Sequence, residues 1–111
     1  MTSASGPPLP APVERALRAA NDGDTDGFLA AFAEHGAVDD WGREFRGPAA
    51  IRGWSDAEFI GKQVTLEVTG ARSQGPTTTV STQVGGKGFN GPSDFAFTVE
   101  GDRIALMRIT G

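Results

Sequence analysis

Few residues in this chain have the types and spacing for chemistry, and the densest group is "AVDDWG", where Asp39 and Asp40 stand side by side between Val38 and Trp41. A buried carboxylate is costly unless it is paired or used. Alternate residues of a strand face opposite sides, so Val38 and Asp40 share one face and Asp39 and Trp41 the other. With Val38 packed inward, Asp40 looks into the fold, where an aspartate can serve as a general base. The competing reading makes "DDWG" a turn with both acids hydrated.

Other chemistry is sparse. The single histidine, His35, sits where a second helix should end, and reads as a surface group favoured there by the helix dipole. Arg43, Glu44 and Arg46 read as decoration of an exposed loop. "DGDTDG" at 22–27 mimics the start of a calcium loop, but the twelfth position is Ala33 rather than a bidentate glutamate. No metal site, cofactor motif, phosphate loop or nucleophile elbow is expected. Cysteine and tyrosine are both absent, which excludes thiolate and phenol chemistry. Large aromatics are the other candidates. Trp41, Trp54, Phe59, Phe89, Phe95 and Phe97 can line a pocket for a flat apolar ligand, whereas Phe28 and Phe32 read as core.

These residues must be held by a single domain: 111 residues suffice for one core. The net charge of −4, with scattered Lys and Arg, argues against nucleic acid or an anionic membrane as partner. "MTSASGPPLPAP" has neither the basic start nor the apolar run of a signal peptide, and no apolar stretch reaches membrane-spanning length. The expectation is a cytoplasmic protein with a disordered tail over 1–11 and one domain over 12–111.

Pro12 suits the start of a helix, and Val13, Ala16, Leu17 and Ala20 form its apolar face. Asp24 can cap a second helix that carries Phe28, Leu29 and Phe32 inward and ends at Gly36 in the left-handed conformation. "AVDDW" is a short strand. Gly47-Pro48 opens a third helix bearing Ile51 and Trp54, and Ser55 with Glu58 can form a capping box for one further turn near Gly61. Beyond residue 62 the period becomes two: Val64, Leu66 and Val68; Val80 and Val84; then Phe95, Phe97 and Val99. "GARSQGP", "VGGKG" and "EGD" read as the turns between strands. Helices first and antiparallel strands after define an α+β domain.

The blocks "ALRAANDGDTDGFLAAFAEHGAVDDWG", "RGPAAIRGW" and "FTVEGDRIALMRI" resemble the nuclear transport factor two-like superfamily, nearest its SnoaL-like polyketide cyclase and ketosteroid isomerase branches. The resemblance covers nearly all of the chain after residue 12. It implies a cone-shaped fold, with three N-terminal helices packed on a curved, mainly antiparallel sheet, an apolar pocket at the wide end and a homodimer formed through the outer sheet face. Asp40 aligns with the isomerase branch's aspartate base. Ala16, however, stands where that branch has its oxyanion tyrosine, and Asp94 has the wrong strand parity for the second acid; Ser93 shares the face of Phe95 and Phe97 instead. The implied function is a small-molecule-binding domain without cofactors. Its activity would be that of a cyclase or isomerase on a small apolar carbonyl compound, with Asp40 as base, or else it is a non-catalytic binding or dimerising domain.

Overall fold

A computed structural model describes residues 9–111; the expected tail over 1–11 lies mostly outside them. Helix α1 spans Ala11–Asp22, one residue earlier than Pro12 suggests, and buries Val13, Ala16, Leu17 and Ala20. Leu9, just before it, packs against the core. Gly23, at φ +72°, ends α1 in the left-handed region that glycine enters without a side-chain clash. Asp24 then caps α2 (Thr25–Ala30), its carboxylate accepting from the Gly27 N–H at 3.0 Å.

The second helix stops six residues before the expected Gly36. Phe32 begins strand β1 (Phe32–Asp40), with His35 and Gly36 inside it. The last strand claims this segment: Ile104 N–H donates to Ala31 O at 2.8 Å, and Phe32 pairs with Ile104. Gly36 is required because a Cβ there would lie 2.9 Å from the carbonyl oxygens of Ala33 and Ile104, at an irregularity in the β1 pairing. His35 accordingly pairs with Glu100 across the sheet at 2.9 Å rather than ending a helix.

Arg43–Arg46, expected to be loop, forms an edge strand β2 antiparallel to β1. Helix α3 (Pro48–Glu58) follows, turning Ile51, Trp54 and Ser55 inward. It runs unbroken through the expected capping box, and the Ser55 hydroxyl accepts from Ile60 N–H instead. One turn of 3-10 helix, Ile60–Lys62, leads to four long strands: β3 (Thr65–Gln74), β4 (Thr77–Gly85), β5 (Gly91–Glu100) and β6 (Arg103–Thr110). Strand β3 continues through Arg72 and Ser73, so the turn narrows to Gly75-Pro76. A bulge between Val68 and Gly70 leaves Val68 43% exposed, against the inward placing the alternation implies.

The sheet order is β2-β1-β6-β5-β4-β3, antiparallel throughout except for the β1–β6 pair. All three helices lie on one face. Phe28, Phe95, Phe97, Ile104 and Met107 fill the space between, each almost wholly buried. The fold is α+β, helices on a mostly antiparallel sheet. Among the described residues no helix is long and apolar enough to cross a membrane.

Candidate functional site

A two-residue hairpin sets the geometry around Asp40. Trp41 and Gly42 connect β1 to β2 with φ of +55° and +92°, and Asp40 pairs directly with Arg43. Positive φ at both loop positions is the requirement of a type I′ turn, which glycine and asparagine meet easily and tryptophan does not. Asp39 supports the turn by accepting from Gly42 N–H at 2.8 Å and lies 3.5 Å from Arg108 on the neighbouring strand. Its partner Asp40 turns the other way, with 15% of its side chain exposed, and lines a hollow of about 340 Å³ between the end of α3 and the sheet.

One oxygen of Asp40 is fully engaged. Its Oδ2 accepts from Trp54 Nε1 at 3.0 Å and from Arg43 Nη2 at 2.6 Å. Both partners donate, so Oδ2 serves as a double acceptor. Among the described residues Oδ1 has no hydrogen-bond partner. Arg43 also grips both carboxylate oxygens of Glu58, at 3.0 and 2.7 Å, in the bidentate manner that suits guanidinium. That hydrogen bond draws the Glu58 carboxyl below its ordinary range and raises the Arg43 guanidinium. The guanidinium rests 5.6 Å from the centre of the Phe45 ring. The chain Trp54–Asp40–Arg43–Glu58 therefore ties α3 to the hairpin at both of its ends.

Aromatic rings form the walls. Trp54 stacks on Phe59 at 4.8 Å between centroids, and Phe59 meets Phe95 at 6.2 Å. Val64, Val84 and Ile109 complete the apolar lining. Ser93 is buried on the same wall, its hydroxyl donating to Thr110 O at 2.8 Å. Trp41 and Phe89 stand at the mouth, 65% and 59% exposed. The glycines around Phe89 let its loop fold close: a Cβ on Gly91 would meet that ring at 3.2 Å, and one on Gly88 would meet the Lys62 side chain at 3.3 Å.

Of the residues singled out from the sequence, Asp40, Trp41, Trp54, Phe59, Phe89, Ser93 and Phe95 meet at this hollow. Phe97 does not: it lies one step deeper, stacked on Phe95 at 6.4 Å, and belongs to the core. Arg43, Glu58 and Lys62 were missed as site residues. The signal for Arg43 was the "DWGR" spacing, in which a two-residue loop ending in glycine sets residues 40 and 43 opposite each other. Among the described residues no cluster of His, Asp or Glu could hold a metal ion, and the aspartates of "DGDTDG" are a helix cap at Asp24 and an ion pair from Asp26 to Arg52.

The sequence matches the model of the SnoaL-like domain over residues 13–107, and the chain belongs to that family. No curated protein matches it. A candidate polyketide cyclase from Sinorhizobium meliloti is 28% identical, with TM-score 0.84 over 92% of this chain and 95% of the other. The Δ5-3-ketosteroid isomerase of a Mycobacterium species is 19% identical, with TM-score 0.76 over 91% and 90%. A computationally designed 17-OHP binder is 18% identical, with TM-score 0.78 over 92% and 90%. The last two likenesses are of fold alone.

Proposed function

We propose that this chain binds a small, flat, largely apolar molecule in the hollow beneath α3. The observation that carries the reading is an aromatic-walled space of about 340 Å³ with one carboxylate, Asp40, on its inner wall. That volume lies at the lower end of the range of small-molecule sites. The fold is shared by an isomerase and a designed binder, so it is compatible with turnover and with binding alone. A cofactor-independent cyclase or isomerase acting on a small apolar carbonyl compound is the second reading, favoured by the unengaged Oδ1 of Asp40, which would be its base. Binding is preferred because the buried side-chain donors of the lining, Trp54 N–H and Ser93 O–H, are already committed to protein acceptors. An oxyanion would find neither of them free.

A thermal-shift screen of flat aromatic compounds tests the proposal. A compound at 100 times its Kd adds about 2.7 kcal/mol of stability. Hits should also change the emission of Trp41 and Trp54, and Val84→Phe, which fills the hollow, should abolish both effects. A broad panel without a single hit overturns the reading. Turnover is tested on any hit with Asp40→Asn, which should retain binding and lose rate if Asp40 is a base.

A homodimer through the outer sheet face belongs to the same proposal. Thr79, Ser81, Ala96 and Thr98 present small, half-buried side chains there, opposite the buried Val80, Phe95 and Phe97. Light scattering should give twice the chain mass, and Ala96→Arg should halve it.

A further inference from the structure

The polar atoms of the hollow are divided by type and by depth, and the division specifies the occupant. The inner wall carries two side-chain oxygens able to accept. Asp40 Oδ1 is unengaged among the described residues, and Ser93 Oγ has spent its only proton on Thr110 O. Among the described residues the one side-chain N–H of the inner wall, on Trp54, is spent on Asp40 Oδ2. Glu58, with one Arg43 N–H on each of its oxygens, adds acceptor capacity and no donor. Side-chain donors that remain free, the Lys62 ammonium and the Trp41 indole, belong to exposed residues of the lining. A ligand that buries a bare carbonyl against the inner wall would set one acceptor against others, leaving a desolvated oxygen unpaired. A ligand that buries an O–H would complete the set.

We infer that the occupant is a flat apolar compound bearing a hydroxyl group, a phenol or ring alcohol, whose O–H points inward and donates to Asp40. The inference rests on the ligand-binding reading of the hollow and adds the chemical class and orientation. The mouth fits the same orientation: any acceptor at the outer end of the molecule meets Lys62. A cationic ligand is disfavoured because Lys62 lines the hollow and Arg43 already lies against Asp40.

The test compares 2-naphthol with 2-methoxynaphthalene, which keeps the rings and the oxygen but has no donor, by titration calorimetry. The phenol should bind about tenfold more tightly to the wild type, the worth of one hydrogen bond to a charged acceptor. In Asp40→Asn the amide oxygen must take over the Trp54 and Arg43 donors, which turns the NH₂ toward the ligand. The gap should then vanish or reverse. Ser93→Ala should leave most of it in place. Equal affinity of the two probes for the wild type overturns the inference while leaving the pocket intact. An unchanged gap in Asp40→Asn removes Asp40 as the acceptor and overturns it too. If neither probe binds, this inference is overturned, and the pocket reading falls with it when the broad panel also gives no hit. The wild-type comparison decides the matter alone if a variant fails to fold.

Discussion

The indole Nε1 of Trp54, on α3, donates to Oδ2 of Asp40, the last residue of β1, at 3.0 Å. The bond fixes which oxygen of the carboxylate is left for an occupant. It also makes a core tryptophan, stacked on Phe59, the reporter of events at the acid. Trp54→Phe deletes the donor and also part of a buried ring system that stacks on Phe59. It should lower stability by at least the about 1.5–3 kcal/mol of a hydrogen bond to a charged group, with a cavity cost added, as read from urea denaturation midpoints.

The Arg43–Glu58 pair gives stability a defined pH dependence. The Glu58 carboxyl is drawn below its ordinary range by Arg43. Its contribution is therefore complete above the unfolded-state value, about 4.3, and is lost as pH falls through the lower folded-state value. Both side chains are substantially exposed, so the effect is small. Melting curves from pH 6 down to 3 should fall more steeply for the wild type than for Glu58→Gln, with the difference confined to the acid end.

Trp41 is held at φ +55° in a loop that favours asparagine. Trp41→Asn should therefore raise stability by about 0.5–1 kcal/mol, below the full cost of such strain because the ring also packs beside Gly111. The same variant should weaken ligand binding at the mouth. Stability and affinity moving in opposite directions, measured by denaturation and calorimetry, is the expected signature.

Two glycines eight residues apart, Gly53 and Gly61, should respond with opposite signs. A Cβ on Gly61 would sit 1.7 Å from the backbone oxygen of Asp56, whereas one on Gly53, within α3, meets nothing within 4 Å. Gly61→Ala should cost at least the ~1–3 kcal/mol typical of overpacking. Gly53→Ala should gain about 0.5–1 kcal/mol through helix propensity. Paired urea titrations read both.

Asn21, near the end of α1, closes the edge of the sheet. Its Nδ2 donates to Leu66 O at 3.1 Å and its Oδ1 accepts from Leu66 N–H at 2.6 Å. Asn21→Ala should cost about 1–3 kcal/mol and speed hydrogen exchange of the Leu66 amide ahead of its neighbours in β3.

The sheet half was legible because one-sided burial writes a period of two into the sequence. Val80 and Val84, and then Phe95 and Phe97, fall inward where alternation puts them. The family resemblance rested on "GD" between two helices and an acid at the end of the next strand, both within residues 13–107, which match the SnoaL-like model. "FAEHG" was misread because its helix propensity is local, whereas its pairing partner lies some seventy residues away in β6. Val68 was misplaced by a bulge that alternation cannot foresee. The tie between Arg43 and Glu58 was illegible for another reason. Arg43 and Glu58 are fifteen residues apart, and they meet only because a hairpin returns one to the end of the helix that carries the other. No periodic pattern records such a meeting.

The parallel pairing of β1 with β6 has a consequence for synthesis. Strand β6 lies inside the sheet, between β1 and β5, and supplies Ile104, Met107 and Ile109 to the core. Until residues 103–110 leave the ribosome, β1 and β5 both present open hydrogen-bonding edges and the helices cover an unfinished surface. The nascent domain therefore cannot become cooperative before Arg103–Thr110 has emerged, and a stop codon ahead of Arg103 would release a chain bound for chaperones and proteases rather than a smaller working protein.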